Sequence, residues 1–561
     1  MRVVTSLLAS CLLAISLGIA TPAVAQDSGL RLPMADAPGA ATWLLGQPYG
    51  NTIGAFLRGD EWYRAGQRLH FGMDFSMPCG SPLVAVGDGT VMFTDDMGFG
   101  SAPHNLILRL DAGYVALYGH LLQPPTLAPG DRVAAGDPVG LSGDPDETCD
   151  SRPHLHFEMR SLDYQTTYNP AALIPVNWHA LTAIGSFGYP QFQQDLDNAR
   201  QWMSIDDQPD VRFWGQPLNL YAAPYPDYRG GSPPANPPLA RAPLPMPTTA
   251  TLARLAFGGC CAGAWWDARD PGLVYTIDGS PGQRAAIFAW QVGTGDFTLL
   301  DEAPPPYLSA DGTMRVVRRW EGQFGLIDTN GTETLIQTGG AFPSLSRDNA
   351  LAMWTSSAPN TSLDAESDVT VWVAESDAAN GRWVNARAVA LTTDGGASWI
   401  DDRRLLVTGR DGLVTRLSVV DVISGETFVL GDPNGYFRIR GISIAPGGGR
   451  LLFYLMNQPD PAASGMYTIE TTPGTIAVRL PWFGAWRWRD AETVYYLPFD
   501  DAAGSHTLRV TDLTTGEDRA LTDPTVTPFT VANGDWGVSA DGTRLTFTDA
   551  RDRTTWVITV E

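Results

Sequence analysis

The chain has 561 residues, too many for one hydrophobic core, so two or more domains are expected. Its 44% hydrophobic and 17% charged residues suit a folded chain and exclude a disordered one. A formal charge of −24 excludes a nucleic-acid partner, since phosphate binding needs basic surface, and the lack of any Lys excludes lysine-based chemistry.

Residues 1–25 read as a secretory signal peptide. Arg2 supplies the positive start, Leu7 to Ile19 the apolar stretch, and Ala23-Val24-Ala25 a small-x-small cleavage site. A lipobox-like Leu8-Ala9-Ser10-Cys11 offers lipid anchoring at Cys11 as an alternative, but most of the apolar stretch follows that Cys. No later segment is long and apolar enough to span a bilayer as a helix, so a transmembrane segment is not expected. The mature chain is expected to be secreted or held in the cell envelope, where disulfides form. Four Cys then remain. Domain layout favours a Cys79–Cys149 bridge and leaves Cys260 and Cys261 as an adjacent pair or free thiols.

Residues 41–175 form one β-rich unit. Short apolar runs such as Leu106-Ile107-Leu108 and Tyr114 to Tyr118 alternate with Gly, Pro and Asp turns. Five of the seven His residues lie between positions 70 and 156. Four of them fall in short patterns: His70-Phe71-Gly72-Met73-Asp74, then Tyr118-Gly119-His120-Leu121, then His154-Leu155-His156-Phe157-Glu158. In a strand, positions i, i+2 and i+4 share a face. His70 and Asp74 are thus expected on one side, and His154 and His156 on one side. Imidazoles and a carboxylate converging in this way suit one zinc ion with a coordination position left for water. His104 reads as a surface residue, His179 and His506 as structural, and Glu158 as a carboxylate packed behind His156.

These motifs and their order resemble the lysostaphin-type (LytM-type) peptidoglycan zinc metalloendopeptidases. Two further stretches fit that pattern, Gly80 to Val91 and Gly130 to Gly140, and Asn169-Pro170 closes it. The resemblance covers about 130 residues. It implies a compact antiparallel β-sheet domain with a narrow groove. It implies that His70, Asp74 and His156 bind one Zn²⁺, and that His120 and His154 act on the attacking water and the developing oxyanion. The substrate implied is a peptidoglycan stem peptide or cross-bridge. The loop Ser142 to Pro153 is acidic, departs from the Ser/Thr-Gly-rich loop common in such enzymes, and is expected to line the groove.

Residues 176–247 are expected to be irregular and then linker, with some helical character at Phe192 to Met203 and nine prolines in the 24 positions 224–247. From 248 to 561 a loose repeat recurs. Ser309-Ala310-Asp311-Gly312-Thr313 and Ser539-Ala540-Asp541-Gly542-Thr543 are its clearest copies, and weaker ones begin near Ser346, Asp401, Ala445 and Arg489. With a degenerate copy near Trp265 to Tyr275, about seven are expected at the spacing of propeller blades. This half resembles TolB-like and WD-repeat propellers. The last blade is one strand short, and Thr249 to Ala256 is expected to supply it. Asp328 to Gly331 reads as a hairpin turn, and Trp482, Trp486 and Trp488 as packing residues. The fold class expected is all-β, a zinc metallopeptidase domain plus a β-propeller whose partner is a protein or glycan. Two alternatives remain in view, a catalytically silent regulator of another wall hydrolase and a propeller-based adhesion or assembly module.

Overall fold

The computed structural model describes residues 29–184, 205–215, 250–256, 264–278, 286–301 and 307–560, apart from short stretches within them. The expected signal peptide, Phe192 to Met203, the Pro-rich segment, Cys260 and Cys261 lie outside the described residues. The described chain is nearly all β, as composition and turn spacing indicate. None of its helices is long and apolar enough to cross a membrane.

The N-terminal region is built on one antiparallel sheet. Its strands are β1 (Leu44–Leu45), β2 (Met73–Ser76), β3 (Pro82–Val84), β4 (Gly89–Thr94), β5 (Leu106–Leu110), β6 (Val115–Gly119), β7 (Arg132–Val133), β8 (Pro138–Leu141), β9 (His154–Arg160), β10 (Thr166–Tyr168) and β11 (Val211–Arg212). The main order is β1-β2-β9-β6-β5-β4-β7, with β10 and β11 continuing from β9, while β3 and β8 form a separate pair. The central strands are buried on both faces: β6 has five buried residues of five, and β9 six of seven. β6 accordingly reads as a continuous apolar run, whereas β9 alternates Leu155, Phe157 and Met159 with His154, His156, Glu158 and Arg160.

Asn169 caps a short helix, α1 (Pro170–Leu173), by accepting from the Ala171 N–H at 3.0 Å, and Asn177 caps α2 (Trp178–Thr182). The buried core of this region takes in Leu30 and Met34 before residue 41, and Trp178, Leu181, Ile205 and Val211 after residue 175. The described parts of the segment expected to be irregular, 176–184 and 208–215 with Ile205, therefore pack as part of the unit.

A disulfide joins Cys79 to Cys149 across 70 residues of sequence. Cross-linking a loop of that length removes denatured-state entropy worth about 4.4 kcal/mol. The Cys79→Ser, Cys149→Ser double variant is expected to lose roughly that stability in denaturant unfolding, with the loop 142–153 becoming the first site of proteolysis.

Among the described residues the C-terminal region holds four four-stranded antiparallel sheets, one five-stranded sheet and one eight-stranded sheet. In the eight-stranded sheet two four-strand runs join through a parallel pairing of Leu335 with Arg382, so that seven four-strand units follow in chain order. They cover residues 265–301, 307–337, 344–393, 396–429, 439–479 and 484–520, and the seventh joins 531–560 to Ala250–Ala256. In that last unit Ala250 pairs with Val560 and Arg254 with Trp556, so the shortened repeat is completed as expected. Neighbouring units share cores: Phe324 and Trp354 join the second to the third, Leu417 and Phe453 the fourth to the fifth, and Trp290 and Val557 the first to the seventh.

The recurring Ser-x-Asp turn has a mechanical role. Ser309 Oγ donates to Asp311 Oδ1 and accepts from the Met314 N–H, while Gly312 takes φ +69°. Ser539, Asp541, Arg544 and Gly542 repeat the arrangement, as do Ser346, Asp348 and Leu351. Each copy fixes the hairpin between the first and second strands of its unit, where a residue must adopt φ > 0. Asp328 likewise accepts from the Asn330 and Thr332 N–H groups as a turn.

Candidate active site

The register of β2 on β9 assembles the site. Asp74 lies directly opposite His156, and Ser76 opposite His154, while Gly119 at the end of β6 faces His156 from the other side. One pairing thus brings two distant motifs together, and His120 follows at the end of β6. His70 departs from the expectation: it precedes β2 rather than continuing it, and it is tied instead to Gly50 by a β-bridge. The chain between His70 and Asp74 bends around the His156 ring. A Cβ on Gly72 would lie 2.4 Å from His156 Cε1, so only glycine permits this approach.

Three donor atoms meet here. His70 Nε2 lies 3.4 Å from Asp74 Oδ1 and 3.4 Å from His156 Nδ1, and His156 Nδ1 lies 2.8 Å from Asp74 Oδ1. Ligands held at 2.0–2.1 Å around a tetrahedral zinc are separated by about 3.3 Å. The two 3.4 Å edges match that spacing, and the third is closed by a hydrogen bond. Among the described residues this is the one cluster of three such side chains able to hold a metal ion.

The surroundings fix which nitrogens are available. His70 Nδ1–H donates to the Pro48 carbonyl at 2.6 Å, leaving Nε2 to face Asp74. His156 Nε2–H donates to Glu158 Oε1 at 3.2 Å, leaving Nδ1 to face it. Glu158 is wholly buried and is held by Arg160 Nε at 2.7 Å. These are the outer contacts that orient metal-binding imidazoles. Burial alone would raise the Asp74 carboxyl, but the His70, His154 and His156 imidazoles outweigh it and hold it well below the ordinary value. Burial would lower His156, yet Asp74 and Glu158 reverse this and push it up to about 9. The field that strengthens proton binding here also favours a cation in the proton's place.

His120 and His154 stand beside this cluster, their rings 4.8 Å apart. His154 Nδ1 donates to the Arg152 carbonyl at 2.6 Å, and His120 Nδ1 donates to the Ala102 carbonyl. Each therefore keeps Nε2 for the cavity. Burial lowers both imidazoles, His120 to about 3, so both are neutral near pH 7. His120 sits at φ +56°, a strained position for a side chain of its size, pinned by a hydrogen bond from its N–H to the Ser101 carbonyl.

All five residues expected from the motifs thus lie together. Among them His70, Asp74, His120, His154 and His156 line a cavity of about 1320 Å³. The same cavity is lined by residues that the motifs did not point to. Tyr63 packs edge-on against His70 with centroids 5.3 Å apart. Trp62 has Arg152 over its ring at 4.8 Å. Phe213 and Trp214 reach the cavity from the segment after 175, so that segment supplies part of the wall. The acidic loop is lined up as expected, through Pro145, Arg152 and Pro153, and buried Asp144 shapes it by accepting from the Ser151 and Arg152 N–H groups.

Residues 68–170 match Peptidase family M23. Over 90 residues the chain is 33% identical to the peptidoglycan DD-endopeptidase ShyA of Vibrio cholerae, covering 16% of this chain and 20% of that protein. Over 103 residues it is 31% identical to the glycyl-glycine endopeptidase ALE-1 of Staphylococcus capitis, covering 18% and 28%. The catalytic domain of lysostaphin from Staphylococcus simulans aligns at 25% identity over 23% of this chain and 89% of that one, with a TM-score of 0.19. The chain spans less than a third of the length of the two endopeptidases. Taken with the geometry above, residues 68–170 are a Peptidase family M23 domain.

Proposed function

We propose that this protein is a zinc-dependent endopeptidase that hydrolyses amide bonds in peptidoglycan stem peptides or cross-bridges outside the cytoplasm. The observation that carries the reading is the convergence of His70 Nε2, Asp74 Oδ1 and His156 Nδ1 at zinc-ligand spacing, beside two neutral imidazoles in one open cavity. His70, Asp74 and His156 would hold the ion. When bound, zinc supplies Lewis acidity toward the oxygen of a water or a peptide carbonyl.

The chain's own groups do the rest. His154 or His120 accepts a proton from the attacking water at Nε2, because its Nδ1 already donates to a backbone carbonyl. The resulting imidazolium can return that proton to the leaving amine, while the other imidazole, whose Nε2 is also an acceptor, holds the water's second hydrogen and so orients its attack. Tyr63 and Trp62 line the same cavity and flank the peptide. The C-terminal region we read as a seven-bladed β-propeller that docks a protein or glycan partner and positions the substrate, a reading supported by the seven units and their closing strand.

Metal content and turnover test the first part together. The purified chain is expected to carry one zinc per molecule and to cleave defined wall peptides. Chelation is expected to abolish cleavage, and added zinc to restore it. A metal-free preparation that cleaves at full rate would reject the proposal, and so would a zinc-loaded one that cleaves no wall peptide.

A further inference from the structure

The cavity has a wall from the other half of the chain. Leu413, Arg438 and Arg440 of the C-terminal region line it together with His70, His120 and His154. This wall is held in register with the peptidase loop. Arg410 Nη2 donates to the Ser151 carbonyl at 3.3 Å, and the Arg438 N–H donates to the Leu413 carbonyl at 2.8 Å.

Arg438 is an unusual residue to find there. It is 7% exposed and sits at φ +49° between the strands Tyr436–Phe437 and Ile439–Ile444. Its guanidinium lies over the Phe437 ring at 5.3 Å, and its buried Nε has no acceptor among the described residues. Asp144 and Asp150 attract it only from a distance. Burial, and then the neighbouring Arg440, lower its guanidinium to about 10. Arg440 is exposed and spends one nitrogen on the Ile439 carbonyl at 3.0 Å. A buried guanidinium without a matching anion is costly to keep, and its planar fork is shaped for a carboxylate. In a chain with 61 acidic residues, leaving two arginines uncompensated at one cavity is a pointed arrangement.

We propose that Arg438 and Arg440 form an anion subsite that receives a carboxylate of the peptide substrate. The proposal deepens the endopeptidase reading and rests on it for the identity of the ligand as a peptide. The propeller then contributes directly to substrate choice: acidic peptides are selected over their amides.

The test uses the full chain and three synthetic stem peptides: one with free side-chain and terminal carboxylates, one amidated at the side chain, and one amidated at the C-terminus. Equilibrium binding to the metal-free chain is measured by calorimetry, beside cleavage by the zinc-loaded chain. The acidic peptide is expected to bind at least tenfold more tightly than one of the two amides, and the weaker amide identifies which carboxylate is read. Arg440→Gln, at an exposed position, is expected to reduce that ratio severalfold, and Arg438→Gln to bring it close to one. A ratio of one in the unaltered chain would overturn the subsite. Equal weakening of all three peptides by both variants would overturn it too, since that marks a structural role. Charge-selective binding without cleavage of any peptide would uphold the subsite and reject the endopeptidase reading instead.

Discussion

His156→Ala is expected to empty the metal site and to lower kcat/KM on wall peptides by about 10³-fold or more, the equivalent of the several kcal/mol that a catalytic metal supplies. The reason is geometric. His156 Nδ1 is the donor common to both remaining partners, 2.8 Å from Asp74 and 3.4 Å from His70. Without it, two donors on one short segment remain, and β9 no longer supplies a ligand. Glu158→Gln gives the contrasting result. It keeps all three donors but weakens the orientation of the His156 ring, so metal affinity is expected to fall about 10–100-fold with the site still filled in excess zinc. Metal content by elemental analysis and cleavage of a defined peptide read both outcomes. A His156→Ala protein that retains one zinc at unchanged affinity would remove this side chain from the ligand set.

His154→Ala and His120→Ala are expected to separate chemistry from metal binding. Each keeps His70, Asp74 and His156 intact, so zinc content stays at one per chain. The loss falls on kcat, by about 10²–10⁴-fold, the range for a positioned acid or base. KM is expected to move little, because the imidazoles act on the attacking water rather than on the bound peptide. The double variant is expected to lose little more than the worse single one, since the two rings, 4.8 Å apart, serve one proton-transfer step. Loss of zinc from either variant would instead place that histidine among the ligands.

The motifs made this site legible because their chemistry is dense and their geometry local. Alternation in His154 to Glu158 places His154 and His156 on one face of β9, and the strand pairing then sets Asp74 opposite His156. The repeat in the second half was legible for a similar reason: a Ser-x-Asp turn needs the same hydrogen bonds and the same positive φ each time it recurs. His70 joins the cluster from a β-bridge ahead of β2 rather than from the strand its spacing suggests. Its position depends on a bridge to Gly50 and on the room left by Gly72, neither of which is a periodic signal. Tyr63, Phe213, Arg438 and Arg440 carried no local mark at all. They reach the cavity only because separate parts of the chain dock, and docking leaves no spacing to read. Trp482 and Trp488, by contrast, do pack as their surroundings suggested. Trp482 stacks on Tyr496 at 4.2 Å, and Trp488 donates to Ser443 Oγ.

The pairing of Ala250–Ala256 with Thr555–Val560 bears on the order in which the molecule matures. Ala250–Ala256 is synthesised about 300 residues before the strand it pairs with. Contacts of such long sequence separation form slowly, and the waiting strand carries unpaired backbone groups meanwhile. Completion of this sheet thus waits on Thr555–Val560. A chain lacking that one strand would lose more than six residues of structure: Ala250–Ala256 and Arg544–Asp549 would both become raw sheet edges open to self-association.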